Sequence, residues 1–179
     1  MSSPAVADAR VQLLPATPKW FAIQARYRFE KRVAEQLSGK GVEVFVPLRT
    51  EKHAWTDRQK MVTIPLFPGY FFARMDASVA LRREILQTSG LMRFVEFGGA
   101  AVSVPPKQIE DLRTLLQREV PFSLCAFVRV GQRVRIRGGC LHGLEGVLAQ
   151  QDKGKLVISI ESIQRSLAVE IHGYELDLV

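Results

Sequence analysis

The chain has 179 residues, 47% of them hydrophobic and 24% charged, which excludes long disorder and a collagen-like repeat. No stretch reaches the roughly 20 apolar residues that cross a bilayer, and residues 1–18 lack the basic start and apolar block of a secretory signal. A cytoplasmic protein with no membrane association is expected, its two cysteines, Cys125 and Cys140, reading as reduced structural thiols because no C-x-x-C spacing pairs them.

The net charge of +7 points toward a polyanionic partner. Residues 1–127 hold 18 Lys/Arg against 12 Asp/Glu, whereas residues 128–179 hold 7 against 6. Phosphate attraction should therefore act through the amino-terminal part, leaving the other part free for a protein partner.

Residues 1–18 are rich in Ala, Ser and Pro without a sustained period and read as a mobile leader. Trp20-Phe21-Ala22-Ile23-Gln24-Ala25 is a compact apolar strand, after which Phe29, Val33 and Leu37 recur every fourth position as on one helix face, stopped by Gly39 and Gly41. Val42 to Pro47 predicts a strand, and Arg49 to Lys60, basic with a single Trp55, an exposed hairpin or loop. Met61 to Pro65 leads back to an aromatic strand, Phe67 to Met75, with a turn at its start. A short helix over Ala77 to Gln87 and a strand over Met92 to Phe97 follow. Pro105-Pro106 then opens a helix burying Ile109, Leu112, Leu115 and Leu116, with Lys107, Glu110, Asp111 and Arg113 facing water.

This order predicts an α+β domain over residues 19–118, a mostly antiparallel sheet flanked by helices, and a linker over 119–127. From Val128 onward the signals are strands and glycine turns only. Val134 and Ile136 alternate with Arg133, Arg135 and Arg137, Gly138-Gly139 ends that strand, and four more short strands follow, so residues 128–179 are expected to close into a small β-barrel.

The patterns of common catalytic sites are missing. Gly154-Lys155-Leu156 lacks the hydroxyl residue of a phosphate loop, and Cys140-Leu141-His142 offers only two metal ligands near one another, with His53 and His172 far off in sequence. Cys140 in a glycine-rich turn lacks an evident pocket, so neither an enzyme nor a cofactor or metal is expected. The aromatic strand has two readings. Phe71 points opposite to Tyr70 and Phe72, so the strand is apolar on both faces: either it is buried on both sides, or Phe67, Tyr70 and Phe72 form an exposed patch that anchors a protein partner.

Trp20-Phe21-Ala22-Ile23, the helix around Glu30 to Leu37, and Phe67-Pro68-Gly69-Tyr70 resemble the amino-terminal (NGN) domain of NusG-type transcription elongation factors. Val130 to Ile136 and Gly143-Leu144-Glu145-Gly146 resemble the KOW motif, so that the likeness covers Lys19 to Val179. It implies an NGN-like domain and an SH3-like KOW barrel in a monomeric factor that binds the clamp helices of the largest RNA polymerase subunit, bridges the DNA cleft and suppresses pausing. On this sequence the polymerase patch maps to Phe67, Pro68, Tyr70 and Phe72.

The resemblance also places Arg26, Arg32 and Gln36 toward the non-template DNA strand, with Arg32 and Gln36 one helical turn apart. Arg58 and Lys60, together with Arg28, Lys31, Arg82 and Arg83, could add phosphate contacts or simply face solvent. Trp55 could staple the hairpin to the sheet, stack on a base or contact polymerase. Leu141, Leu144 and Ile163 match positions by which the KOW domain recruits a small-subunit ribosomal protein or the helicase Rho, although each could instead fill the barrel core. Leu81-Arg82-Arg83 stands where specialised members carry His and threonines, while the Trp-Thr-Asp-Arg and Pro-Leu-Phe-Pro-Gly-Tyr-Phe segments look more like such a paralogue than the housekeeping factor. The strand-rich tail predicts a stable barrel rather than the helical form some relatives adopt. A ribosome- or RNA-associated KOW protein is the rival reading.

Overall fold

The computed structural model describes residues 17–55, 58–76, 79–118, 120–127, 131–149 and 154–179, and of residues 52–55, 58–60, 79 and 80 the backbone alone. The expected leader lies outside them up to residue 16.

β1 (Lys19–Ala25) is the spine of the amino-terminal sheet. Its residues are sorted between two faces by the period of two, Trp20 and Ala22 joining one buried cluster and Phe21, Ile23 and Ala25 another. α1 (Glu30–Gly39) buries Val33, Ala34 and Leu37 on the second face. The chain then leaves the helix through Gly41, at φ +81°, and enters β2 (Glu43–Phe45). β3 (Leu48–Trp55) and β4 (Arg58–Pro65) form a hairpin in unbroken antiparallel register from Leu48↔Pro65 to Trp55↔Arg58, as one of the two sequence readings has it.

β5 (Tyr70–Met75) returns beside β1, antiparallel, with Ala22 opposite Phe72. α2 (Val79–Leu86) lies within the stretch expected as a helix, whose residues 77 and 78 fall outside the described ones, and buries Ile85. The single strand expected over Met92–Phe97 is divided into β6 (Leu91–Phe94), which pairs with β1, and β7 (Glu96–Phe97), which pairs with β8 (Ala100–Ala101) around Gly98-Gly99. Val95 still donates its N–H to Ala22 O, and beyond it the chain folds back on itself, with Val102 N–H donating to Val95 O. β9 (Ser103–Val104) then continues along β1, giving the order β2-β5-β1-β6 with β9 on the same side of β1 as β6.

α3 (Pro106–Gln117) starts as the prolines predict and buries Ile109, Leu112 and Leu115. Its expected solvent face needs correction. Asp111 is buried, Lys107 reaches the second domain, and the Arg113 guanidinium lies over the rings of Trp20 and Phe45, 5.2 and 5.1 Å from their centroids, while pairing with Glu43. These residues are polar yet sit where domains and elements meet, which helical periodicity cannot register.

The second domain is an antiparallel sheet of six strands in the order β10-β14-β13-β12-β11-β15. They are β10 (Phe122–Cys125), β11 (Arg133–Arg137), β12 (Glu145–Leu148), β13 (Lys155–Ile160), β14 (Arg165–Glu170) and β15 (Glu175–Leu178). β10 falls within the stretch expected as a linker. Its four residues pair with β14 from Phe122↔Val169 to Cys125↔Ser166, so the sheet reaches back to the residue after Pro121. β11 carries the predicted alternation, Val134 and Ile136 inward and Arg133, Arg135 and Arg137 outward. Glycine is required at Gly146 by space: a Cβ there would stand 2.6 Å from Val157 O and 2.9 Å from Leu156 Cγ.

The apolar residues of α3 and of the Trp20 face run without interruption into Val134, Ile136, Leu141, Leu144 and Ile163 of the second domain. Lys107 Nζ reinforces that junction by donating to Gly143 O at 2.6 Å while pairing with Asp111. Burial raises the Asp111 carboxyl above its ordinary pKa, partly offset by Lys107.

Candidate docking and nucleic-acid interface

Three chain reversals meet at one end of the amino-terminal sheet, where β1 ends and β5 and β6 begin. The first, Phe67–Tyr70, is closed by Tyr70 N–H donating to Phe67 O at 2.9 Å, with Pro68 fixing one corner and Gly69 at φ +82° supplying the other. The second, Arg26–Phe29, is closed by Phe29 N–H donating to Arg26 O at 2.9 Å. The third, Thr88–Leu91, contains Gly90 at φ +92°, where a Cβ would stand 2.7 Å from Phe29 Cδ1.

Backbone hydrogen bonds tie the reversals together. Ala25 N–H donates to Gly69 O and Arg26 N–H to Gly90 O, both at 2.9 Å. Glu30, buried at the start of α1, accepts from Gly69 N–H at 2.6 Å. A buried acid in the first helical turn complements the helix dipole and at the same time satisfies the turn amide.

The aromatic segment does not form the exposed ridge that one of its two sequence readings predicted. Phe67 and Phe72 are 1% and 0% exposed and pack edge to face at 6.4 Å, and Phe45 stacks on Phe72 at 6.1 Å. The reason is that the Trp20 face of the sheet is apolar too and is covered by α3. What remains outward is Pro68, exposed at its corner, and Tyr70, half-buried beside it.

The basic residues divide into paired and unpaired sets. Arg49, Arg74, Arg82, Arg113, Arg133, Arg135 and Arg137 each face a carboxylate, Arg82 bonding Glu96 at 2.5 Å while lying 5.0 Å from the Phe94 ring centroid. Arg82, one of the extra candidates for phosphate, is thus held inside its own domain. Arg26, Arg28, Arg32 and Arg93 have no carboxylate partner among the described residues and stand on or beside the three reversals. Arg32 lies over the Phe29 ring, 5.8 Å from its centroid, and Gln36 is half-buried one turn along α1. Arg93 Nε donates to Gln24 Oε1 at 2.8 Å. The side chains of Trp55, Arg58 and Lys60 lie outside the described residues. Sequence reasoning missed Tyr27, Arg93 and the Glu30 tie; the legible signal was Arg-Tyr-Arg placed between an apolar strand and a helix, where a turn had to fall.

In the second domain Leu141, Leu144 and Ile163 are all buried. The turn Leu141–Leu144 adjoins α3 through Gly143, and the 3-10 turn Glu161–Ile163 adjoins β9. Cys140 Sγ lies 3.0 Å from Tyr174 Oη and His142 Nδ1 accepts from Gly138 N–H at 2.9 Å, so both are engaged locally. Among the described residues no group of three or more His, Cys, Asp or Glu could hold a metal ion, and no helix is long and apolar enough to cross a membrane.

Comparison with known proteins places this geometry. The family model described as "Transcription termination factor nusG" matches residues 18–113. The chain is 25% identical to the transcription termination/antitermination protein NusG of Lactococcus lactis subsp. lactis, covering 88% of this chain and 91% of that one. It is 27% identical to the protein of that name from Campylobacter jejuni, covering 87% and 94%. The solved structure "Domain interaction in Thermotoga maritima NusG" shares the fold, with a TM-score of 0.52 at 21% identity over 88% of this chain and 96% of that one. With the family model spanning more than half of its length, the chain belongs to the NusG family of transcription termination/antitermination factors, which are not enzymes.

Proposed function

We propose that this factor rides on RNA polymerase by docking the Phe67–Tyr70 turn on the clamp helices of the largest subunit, bridges the DNA cleft and suppresses pausing. The observation that carries this reading is the convergence of three tied reversals, which puts Pro68 and Tyr70 at the same end of the sheet as Arg26, Arg28, Arg32 and Arg93, arginines with no acid partner among the described residues. A protein contact and a nucleic-acid contact can then be made by one rigid end of the sheet. Pro68 and Tyr70 touch polymerase, while Phe67 and Phe72 form the packed floor that holds them. Arg26, Arg32 and Gln36 face the non-template strand, with Arg58 and Lys60 of the hairpin adding phosphate contacts.

The second domain, read as a KOW module, recruits a small-subunit ribosomal protein or Rho through Leu141, Leu144 and Ile163. These residues lie at the junction with the first domain, so recruitment requires the two domains to part at the Lys107–Gly143 contact. The factor acts in the cytoplasm as a monomer, and its Trp-Thr-Asp-Arg and Pro-Leu-Phe-Pro-Gly-Tyr-Phe segments fit a specialised paralogue.

Affinity capture tests the reading. The tagged chain retrieves RNA polymerase core, and a Tyr70→Ala variant of unchanged circular dichroism loses it. Retrieval of ribosomal RNA without polymerase would support the rival, a ribosome- or RNA-associated binding protein.

A further inference from the structure

Tyr27 and Arg28 occupy the two corners of the turn Arg26–Phe29, and each is unusual there. Arg28 has φ +66°, a left-handed conformation that glycine adopts freely and a side chain with a Cβ does not. Strain of this kind persists only where surrounding structure enforces it, and here the Arg26–Gly90, Phe29–Arg26 and Ala25–Gly69 hydrogen bonds do so. Tyr27 is 66% exposed, a large ring projecting from a turn where a small polar residue would suffice. The Arg28 guanidinium lies over this ring, 5.3 Å from its centroid. Arg26 opens the same turn, Arg32 lies in the first turn of α1, and Arg93, bonded to Gln24, lies on β6 opposite the end of β1; none has an acid partner among the described residues.

From this geometry we infer that Tyr27 is a stacking platform for one unpaired base of a single-stranded nucleic acid, with Arg28 holding the ring and Arg26 and Arg93 taking the flanking phosphates. The inference rests on the proposed nucleic-acid face and adds to it the residue that distinguishes single strand from duplex. Arg28 covers one face of the ring, and the exposure leaves the other for a base. A duplex offers phosphates to the arginines but no free base face, whereas a single strand offers both. Stacking of this kind tolerates any base, because every base has a π-face. Arg28 in the strained conformation is the device that sets the ring: its side chain leaves the turn on the same side as Tyr27.

The test uses the full chain and fluorescently labelled 12-nucleotide single strands of DNA and of RNA, and a DNA duplex of the same sequence, with binding followed by anisotropy across a salt series. Tyr27→Ala is expected to weaken single-strand binding about ten-fold or more while leaving duplex binding and the salt slope unchanged, and Tyr27→Phe to retain affinity. Arg26→Ala and Arg93→Ala are expected instead to lower the salt slope by about one each on single strand and duplex alike. Arg28→Gly suits the positive φ and keeps the melting temperature at or above that of the parent, yet weakens single-strand binding. The DNA and RNA arms decide which strand the site prefers. Wild-type affinity of Tyr27→Ala for single strands, an equal loss on duplex, or no binding of any oligonucleotide by the parent chain overturns the proposal. So does loss of polymerase capture by Tyr27→Ala with oligonucleotide binding intact, which would put a protein on the ring. Capture of polymerase by the parent chain is scored separately, so the docking reading stands or falls on its own.

Discussion

The buried carboxylate of Glu30 accepts the amide hydrogen of Gly69 at 2.6 Å, joining the first turn of α1 to the apex of the Phe-Pro-Gly-Tyr turn. One side chain thus fixes the Phe67–Tyr70 turn, the proposed docking element, relative to the helix that carries Arg32 and Gln36. Glu30→Ala leaves the partly buried Gly69 amide without its carboxylate partner, and a cost of about 1–2 kcal/mol is expected. Chemical denaturation measures that loss, and amide exchange at Gly69 and Tyr70 should rise locally before the rest of the domain opens.

The floor and the contact surface of the aromatic turn should separate by mutation. Phe72 is fully buried between Phe45 and Phe67, so Phe72→Ala is expected to destabilise the fold by about 3–5 kcal/mol. Tyr70, half-buried at the rim, should cost far less in stability when replaced by Ala. Thermal melts of the two variants decide it, and equal losses would place Tyr70 in the core with Phe72.

The junction between domains should respond to Lys107. Lys107→Ala removes the bond to Gly143 O and strips the buried Asp111 of its cation. The expected outcome is greater independent motion of the two domains, seen as divergent rotational correlation times in NMR relaxation and an increased radius of gyration in solution scattering.

Asp111 gives the junction a pH dependence of definite sign. Burial raises its carboxyl above the ordinary 3.8, against the lowering pull of Lys107. In the window from 3.8 up to that raised value the folded chain holds a proton that the unfolded chain has released, so this group's contribution to stability falls as pH rises. Asp111→Asn should abolish this slope and be relatively more stable at neutral pH. Melting curves from about pH 4 to pH 7 test it, and a slope unchanged by the substitution would contradict it.

Gly146 supplies a check on the second domain. A Cβ there collides with the backbone oxygen of Val157 and the Leu156 side chain, so Gly146→Ala should force β12 from β13 and cost about 1–3 kcal/mol. Amide exchange confined to the second sheet would mark the damage.

The strands and helices that bury a face were legible because periodicity records burial: Trp20 to Ala25, Val33 with Leu37, and Val134 with Ile136 stand as their spacing requires. β10 was not legible, since Phe122 to Cys125 follows a proline and alternates only weakly, and its strand character comes from β14 beside it. The site was half legible. Phe-Pro-Gly-Tyr announced a turn, but an apolar segment reads alike whether a partner or its own α3 covers it, and only tertiary packing settled that Phe67 and Phe72 lie inside. The roles of Glu30, Lys107 and Asp111 depend on contacts 39 and 36 residues away along the chain for the first two, which no local pattern carries.

Polymerase capture bears most directly on the central claim, that the rim of the Phe67–Tyr70 turn holds this factor on the transcription machinery. Purified RNA polymerase core is passed over the immobilised chain and over a Pro68→Ala, Tyr70→Ala double variant whose melting temperature lies close to that of the parent. Retention by the parent and loss of at least ten-fold in the variant, about 1.4 kcal/mol or more, is the predicted result. Equal retention by both chains would contradict the account.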